Sequence, residues 1–186
     1  QDLHDLVFLD SCGNQQELAN FLTASQTDCF AVMKDGELVF DWFGGFGAPD
    51  RQHILFSITK SMASLLVGVL VDKTLIDVER PITDYLPELG KSAYARATIR
   101  HLLDMQVASA FHEDYLDAEG IFMAYRRASS WDLIGGSDHN DGLRDFLTKI
   151  PASDAAHGTF YHYCSPHSDV LGWIIERCGG ASFAEL

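Results

Sequence analysis

The strongest constraint in this chain of 186 residues is a helix-forming segment over residues 57–73 that is apolar on every side. Its apolar residues surround the helix axis instead of forming one stripe, which is typical of a helix buried in a protein core. The longest apolar run, residues 62–71, is about half of what a membrane span needs. The segment also contains Lys60, and a lysine is costly in such a helix unless it has a partner or a function.

The length favours one globular domain, with two small domains as the alternative, and the composition excludes several other classes. Hydrophobic residues make up 47% and charged residues 22%, so disorder, collagen and coiled coil are not expected. The 13 basic and 27 acidic residues give a net charge of −14, which opposes binding to nucleic acid or to an anionic membrane surface. The four cysteines are widely spaced and form no disulfide or zinc pattern, which favours a cytoplasmic location. A periplasmic or secreted location remains open if a leader was removed.

The order of predicted elements is a hairpin followed by a mostly helical body. Residues 29–34 and 37–43 are β-prone and flank Asp35-Gly36, a pair that strongly favours a two-residue hairpin turn. Residues 108–140 show no regular pattern. Further helices are predicted over residues 15–22 after Asn14, 99–105 after Thr98, 142–150, and 169–177 before Gly179-Gly180.

The start of the apolar helix carries a Ser-x-x-Lys spacing. Ser57 and Lys60 are three positions apart, so they share one face of the helix about one turn apart. A lysine that loses its proton on burial would help to deprotonate the serine, and the first backbone N–H groups of the helix would face a developing negative charge. The tetrapeptide alone also occurs by chance, and its apolar context strengthens the nucleophile interpretation.

A second candidate element is Tyr163-Cys164-Ser165, which precedes the last predicted helix. A Tyr-x-Ser on a loop supplies a phenol for proton transfer and a hydroxyl for binding. Taken alone, Tyr161 and Tyr163 are better explained as ordinary aromatic residues lining a core.

Together these segments resemble the serine β-lactamase superfamily, on the branch of class C β-lactamases and family VIII esterases. Within that branch the chain is most similar to the 6-aminohexanoate-oligomer hydrolases. The segments that carry the resemblance, in chain order, are residues 56–62, 75–77, 85–89, 99–106, 113–115, 163–165 and 169–177.

The resemblance implies a role for each matching residue. Ser57 would be the acylated nucleophile, and its backbone N–H would form half of an oxyanion hole. Lys60 would orient and help to deprotonate it. Tyr163 would pass the proton to the leaving group and activate the water for deacylation. Ser165 would help to hold this network, and Tyr115 would contact the substrate.

The implied reaction is hydrolysis of a small ester, amide or lactam through an acyl-enzyme. The aminohexanoate branch has an acidic residue for the substrate amine, where this chain has Tyr125, Arg126 and Arg127, so a plain ester also remains open. β-Lactamase and D-alanyl peptidase activities are alternatives. A non-catalytic binding module or inactive fragment is another, because the third motif of the superfamily, Lys-Thr-Gly or His-x-Gly, does not occur in residues 1–186.

The fold class implied is α/β of the α+β kind, β-lactamase/transpeptidase-like, with an antiparallel sheet and a helical domain. Residues 28–56 would give the first sheet strands and residues 57–186 the helical region. We expect residues 1–186 to be the N-terminal part of this domain, with the remaining strands in a C-terminal part acting as its partner. Exposed apolar area on the hairpin and on the central helix is therefore expected, and a homodimer is possible.

Neither a metal nor a cofactor is expected. His157, His162 and His167 recur every five residues, a spacing that fits neither a helix face nor a strand face.

Overall fold

The computed structural model describes residues 3–132 and 142–186. The chain divides into two compact units, with the boundary between Leu55 and Phe56. The first unit consists of two antiparallel hairpins and a short helix. Its elements are β1 (Val7–Leu9), β2 (Gln15–Glu17), α1 (Leu18–Ala24), β3 (Cys29–Lys34) and β4 (Glu37–Phe43). Its small core gathers Leu18, Leu22 and Phe40.

The predicted hairpin of the first unit is present as β3 and β4. Asp35 and Gly36 both have positive φ, 52° and 83°, as a two-residue hairpin turn requires. The predicted helix start was wrong, because residues 15–17 pair with β1 as strand β2 and α1 begins only at Leu18. Asn14 therefore does not cap a helix.

The second unit is helical. Its elements are α2 (Ile58–Asp72), 3₁₀ turns at Ile82–Asp84 and Pro87–Leu89, α3 (Ile99–Leu103), α4 (Ile121–Ala128), α5 (Leu143–Lys149) and α6 (Ser165–Gly179). Helix α6 packs against both α2 and α3, and α4 packs against α5. The core of the unit lies between these helices, with Tyr94, Phe111 and Ile174 among its fully buried side chains.

Local signals account for several helix ends of the second unit. Thr98 and His101 form a capping box at the start of α3. Gly180 ends α6 in the left-handed region at φ 72°. Helix α6 begins at Ser165, four residues before the predicted start, with Pro166 in its first turn. Helix α4 was not predicted, since its sequence mixes aromatic and basic residues within an irregular stretch.

The apolar helix predicted for the core is only partly buried in this chain. Helix α2 buries Ala63, Val67 and Leu70, while Leu65 is 68% exposed. Apolar side chains of the hairpin are also exposed, with Met33 at 68%. The expected exposed apolar area is thus present on both elements. Within residues 3–132 and 142–186, no helix has the length and apolarity needed to cross a bilayer.

Candidate active site

Ser57 lies at the entrance to α2, where the backbone changes direction. Phe56 adopts a positive φ of 43°, which is rare for an aromatic residue and carries strain. Ser57 then has helical dihedral angles, and the Lys60 N–H donates to its carbonyl at 3.1 Å. This turn leaves the Ser57 side chain exposed at the helix end.

The hydroxyl of Ser57 lies between an amine and a phenol. Lys60 Nζ donates to Ser57 Oγ at 3.1 Å, and Tyr163 OH is 2.7 Å from the same oxygen. Lys60 Nζ is also 5.3 Å from the centre of the Tyr163 ring. We call these three residues the Ser57 cluster. While Lys60 donates to Oγ, the serine hydrogen is free to point at the phenol oxygen, so a proton can leave the serine toward Tyr163.

The electrostatics of the cluster favour loss of the Tyr163 proton. Partial burial raises the pKa of this phenol, but the hydrogen bond to Ser57 and the interaction with Lys60 outweigh burial. The net pKa of Tyr163 therefore lies below the ordinary value. A negative charge on Glu113 opposes this change by raising the same pKa.

Backbone hydrogen bonds fix the segment that leads to Tyr163. The His162 N–H donates to the carbonyl of Met105 at 2.7 Å, and His162 Nε2 donates to the carbonyl of Phe111 at 2.7 Å. The residue before Tyr163 is therefore held by both its backbone and its ring.

Glu113 links the two remaining predicted site residues. Its Oε1 accepts a hydrogen bond of 2.5 Å from the backbone N–H of Ser165, and its Oε2 accepts from Tyr115 OH at 3.4 Å. Ser165 is thus tied to this region through its backbone. Burial, followed by the Glu113 charge, raises the pKa of the Tyr115 phenol.

A second carboxyl group, that of Asp169, lies one turn further along α6. Tyr125 OH donates to Asp169 Oδ2 at 2.7 Å. Burial raises the pKa of Asp169 to about 6, although the Tyr125 hydrogen bond and the Lys60 charge act against burial. Sequence reasoning missed Asp169, yet an acidic residue among the apolar residues of α6 is the same kind of signal that singled out Lys60.

A stacked pair of exposed aromatic rings includes Phe56, the residue that precedes Ser57 in the chain. Phe56 and Trp131 stack with their ring centres 6.2 Å apart and an interplanar angle of 14°. Both remain more than half exposed. Neither was singled out from sequence, because no local pattern connects Trp131 to residue 56.

The positions where the aminohexanoate branch carries an acidic residue are occupied differently. Tyr125 is buried, and its hydroxyl is directed to Asp169. Arg126 forms an ion pair with Asp132 at 2.6 Å. None of residues 125–127 therefore offers a carboxylate to a substrate amine.

The three histidines spaced by five residues make separate contacts. His157 Nδ1 accepts from the Ala108 N–H at 3.0 Å, and buried His167 contacts Tyr94 OH at 3.3 Å. In the part of the chain that the structure describes, no group of three or more potential ligands is arranged to hold a metal ion.

The fold is that of the β-lactamase-like superfamily. The Beta-lactamase family model matches residues 18–186. The chain is 35% identical over 181 residues to the 6-aminohexanoate-dimer hydrolase of Paenarthrobacter ureafaciens, covering 97% of this chain and 45% of that protein. It is 31% identical over 173 residues to Esterase EstB of Burkholderia gladioli, covering 82% and 41%.

A solved structure supports the same assignment. The Bacillus anthracis protein named "Putative 6-aminohexanoate-dimer hydrolase" superposes with a TM-score of 0.84 at 25% identity, covering 99% of this chain and 48% of that one. The chain therefore belongs to the Beta-lactamase family and has its β-lactamase/transpeptidase-like fold. It spans less than half the length of the curated relatives that it matches.

Proposed function

We propose that this chain carries the nucleophile and the proton-transfer groups of a serine hydrolase that acts on small esters or amides. The observation that supports this most strongly is the Ser57 cluster, in which one hydroxyl lies within hydrogen-bond distance of both Lys60 Nζ and Tyr163 OH. Three such groups in contact meet the requirement for an activated nucleophile.

In the proposed reaction, Tyr163 starts as the phenolate. Ser57 Oγ attacks the substrate carbonyl carbon, and the serine proton passes to this phenolate. Lys60 stabilises the phenolate and keeps the serine oriented. Tyr163 then gives the proton to the leaving oxygen or nitrogen, which leaves an acyl group on Ser57. In the second half, Tyr163 removes a proton from water and the resulting hydroxide attacks the acyl carbon. The bond between the acyl carbon and Ser57 Oγ then breaks, and Tyr163 returns the proton to Ser57 Oγ as the acid product leaves. The backbone N–H of Ser57 is half of the proposed oxyanion hole.

We assign Tyr115 and Ser165 to substrate binding and to holding the network. Tyr115 is 67% exposed and lies on the loop that Glu113 connects to the start of α6. A phenol in that position can donate to a substrate carbonyl or accept from an amide N–H.

Among substrates, we favour an ester or an uncharged amide. Two relatives are named as an esterase and as a 6-aminohexanoate-dimer hydrolase, and residues 125–127 here lack a carboxylate for a substrate amine. β-Lactam and D-alanyl peptide substrates are the alternatives. We place the third catalytic motif in a segment outside residues 1–186, which would also act as the partner of this chain. The cytoplasmic location and the homodimer remain predictions.

The proposal is tested by covalent labelling of the full-length gene product with a fluorophosphonate probe. Mass spectrometry is expected to find one adduct on Ser57, and the Ser57→Ala variant is expected to remain unlabelled. Ser61→Ala, one turn further along α2, is the matched control and should label normally. A properly folded protein without an adduct on Ser57 would overturn the proposal and favour a non-catalytic module.

Substrate class is resolved by comparing short-chain p-nitrophenyl esters, an aminohexanoate dimer and nitrocefin. We expect ester turnover to exceed nitrocefin turnover. Faster hydrolysis of nitrocefin would identify a β-lactamase instead.

A further inference from the structure

We propose that Glu113 is a positioning residue of this site, which holds Tyr163 in place through the first backbone N–H of α6 and balances the charge of Lys60 at the phenol. This inference rests on the proposed function. It adds to that function a residue to which the resemblance assigned no role.

The first step concerns the start of α6, where local capping is missing. Cys164 occupies the N-cap position without a side-chain hydrogen bond, and Pro166 has no N–H. The Ser165 N–H is therefore the first free donor of the helix, and Glu113 Oε1 accepts from it at 2.5 Å. A carboxylate at a helix N-terminus is also favoured by the helix dipole.

The second step concerns distance along the chain. Ser165 is only two residues from Tyr163, while Glu113 is separated from Ser165 by 52 positions. A hydrogen bond from so distant a loop fixes the backbone on the far side of Tyr163, opposite the contacts that hold His162. The phenol is thus anchored on both sides, which keeps it 2.7 Å from Ser57 Oγ.

The third step concerns charge. Lys60 lowers the pKa of Tyr163 and Glu113 raises it. A phenolate stabilised by a cation alone would be a weak base, and a nearby anion keeps it basic enough to accept the serine proton. Other titratable or charged groups around this end of α6 are Tyr115, His112 and His162 on loops, Tyr125 on α4, Cys164 at the N-cap position before α6, and Asp169 on α6.

The experiment compares Glu113→Ala and Glu113→Gln in the full-length gene product, with Glu119→Gln as the matched control. Glutamine keeps an oxygen that accepts from Ser165 but removes the charge, whereas alanine removes both. Glu119 lies in the same loop, is exposed and carries the same charge. The readouts are kcat and KM for a p-nitrophenyl ester across pH, and titration of tyrosine by ultraviolet absorbance against Tyr163→Phe.

Glu113→Ala is expected to lower kcat by about tenfold or more with a small change in KM, because Tyr163 loses one anchor. Glu113→Gln is expected to keep most of kcat but to move the acid limb of kcat/KM, and the Tyr163 titration, to lower pH by about half a unit. Glu119→Gln should move neither.

A Glu113→Gln profile that coincides with the wild type would overturn the proposal, as would wild-type kcat in folded Glu113→Ala. If Glu113→Ala does not fold, the pH profile of Glu113→Gln still tests the proposal. The absorbance titration needs no turnover, so it tests the Glu113–Tyr163 interaction even where fluorophosphonate labelling of Ser57 fails and the proposed function is wrong.

Discussion

Helices α2 and α6 have the same length, fifteen residues, and pack against each other, but they differ in how much of their apolar surface they bury. Helix α6 buries seven residues around its inner side and carries Glu176 and Arg177 near its end. Helix α2 buries three, and five of its large apolar side chains are exposed. The apolar face of the amphipathic α6 packs in the core, whereas the uniformly apolar α2 has one apolar face in the core and another exposed to solvent.

The N-terminal ends of the two helices meet in the Ser57 cluster, to which α2 contributes Lys60 and the segment before α6 contributes Tyr163. Whether the two ends act as one unit is tested by a double-mutant cycle with Lys60→Ala and Tyr163→Phe. Each variant alone is expected to lower kcat/KM for an ester by about a thousandfold, because each removes one proposed proton-transfer partner of Ser57. The double variant should be little worse than either, since the residues act as one unit. The measurement is steady-state ester hydrolysis.

Tyr161→Phe is the control for that cycle, because Tyr161 is a neighbouring tyrosine that is 66% exposed. It should retain wild-type activity. Additive losses from Lys60 and Tyr163 would show that the helix ends act independently.

The difference in burial is tested by the same substitution on both helices. Leu171→Ala on α6 is expected to cost about 2–5 kcal/mol of unfolding free energy, because the side chain is 2% exposed and its loss leaves a cavity. Leu65→Ala on α2, at 68% exposure, should stay within about 0.5 kcal/mol. Urea denaturation of residues 1–186 measures both. Equal losses of unfolding free energy for the two variants would mean that α2 and α6 do not differ in the burial of these leucines.

Helix α6 also carries two ionisable groups whose neutral forms are favoured by folding, while the three buried residues of α2 do not ionise. Burial lowers the pKa of His167 to about 4 and raises that of Asp169 to about 6. Neutral His167 therefore stabilises the fold fully above about pH 6.5 and loses this effect as the pH falls toward 4. Neutral Asp169 stabilises it fully below about pH 4 and loses this effect as the pH rises through 6.

Asp169→Asn should separate these opposing contributions. The variant cannot ionise at residue 169, so its stability relative to wild type should increase by on the order of 2 kcal/mol from about pH 4 to about pH 7. Thermal or urea unfolding across pH measures this change. A difference between variant and wild type that is independent of pH would contradict the direction given for Asp169.

The smallest expected effect concerns the exposed side of α6. Arg177 pairs with both carboxylate oxygens of Glu88 at 2.7 and 3.0 Å, but both side chains are more than a third exposed. Glu88→Gln should cost about 0.5 kcal/mol, and less at high salt, because solvent screens the pair. Urea denaturation at two salt concentrations measures it. A loss of unfolding free energy as large as that of Leu171→Ala would mean that this exposed ion pair stabilises the fold as much as a core side chain does.

Much of the fold could be predicted because its signals are local. The Asp35-Gly36 turn, the Thr98 cap and the Gly180 stop each depend on a few neighbouring residues. Helix α4 was missed because its apolar residues become a core face only after packing, with Phe122 and Tyr125 buried. The early start of α6 was missed because its cap comes from Glu113, on a loop far away in sequence.

The site shows the same division between local and distant information. Ser57 and Lys60 are linked by helix geometry, so their spacing alone predicts contact. The roles of Tyr163, Ser165 and Tyr115 required several motifs in order and remain predictions. No rule of spacing could have identified Glu113 as the partner of Ser165, because such a hydrogen bond exists only in the folded chain.

The separation of Ser57 from Tyr163, 106 positions along the chain, has a consequence for folding kinetics. Helix α2 can form early from local contacts, but closing so long a loop costs entropy that only the packed core between the two residues repays. Their 2.7 Å contact is therefore expected among the last to form during refolding, after most helical structure has returned. The ability of Ser57 to react would then be a more demanding reporter of native structure than helix content.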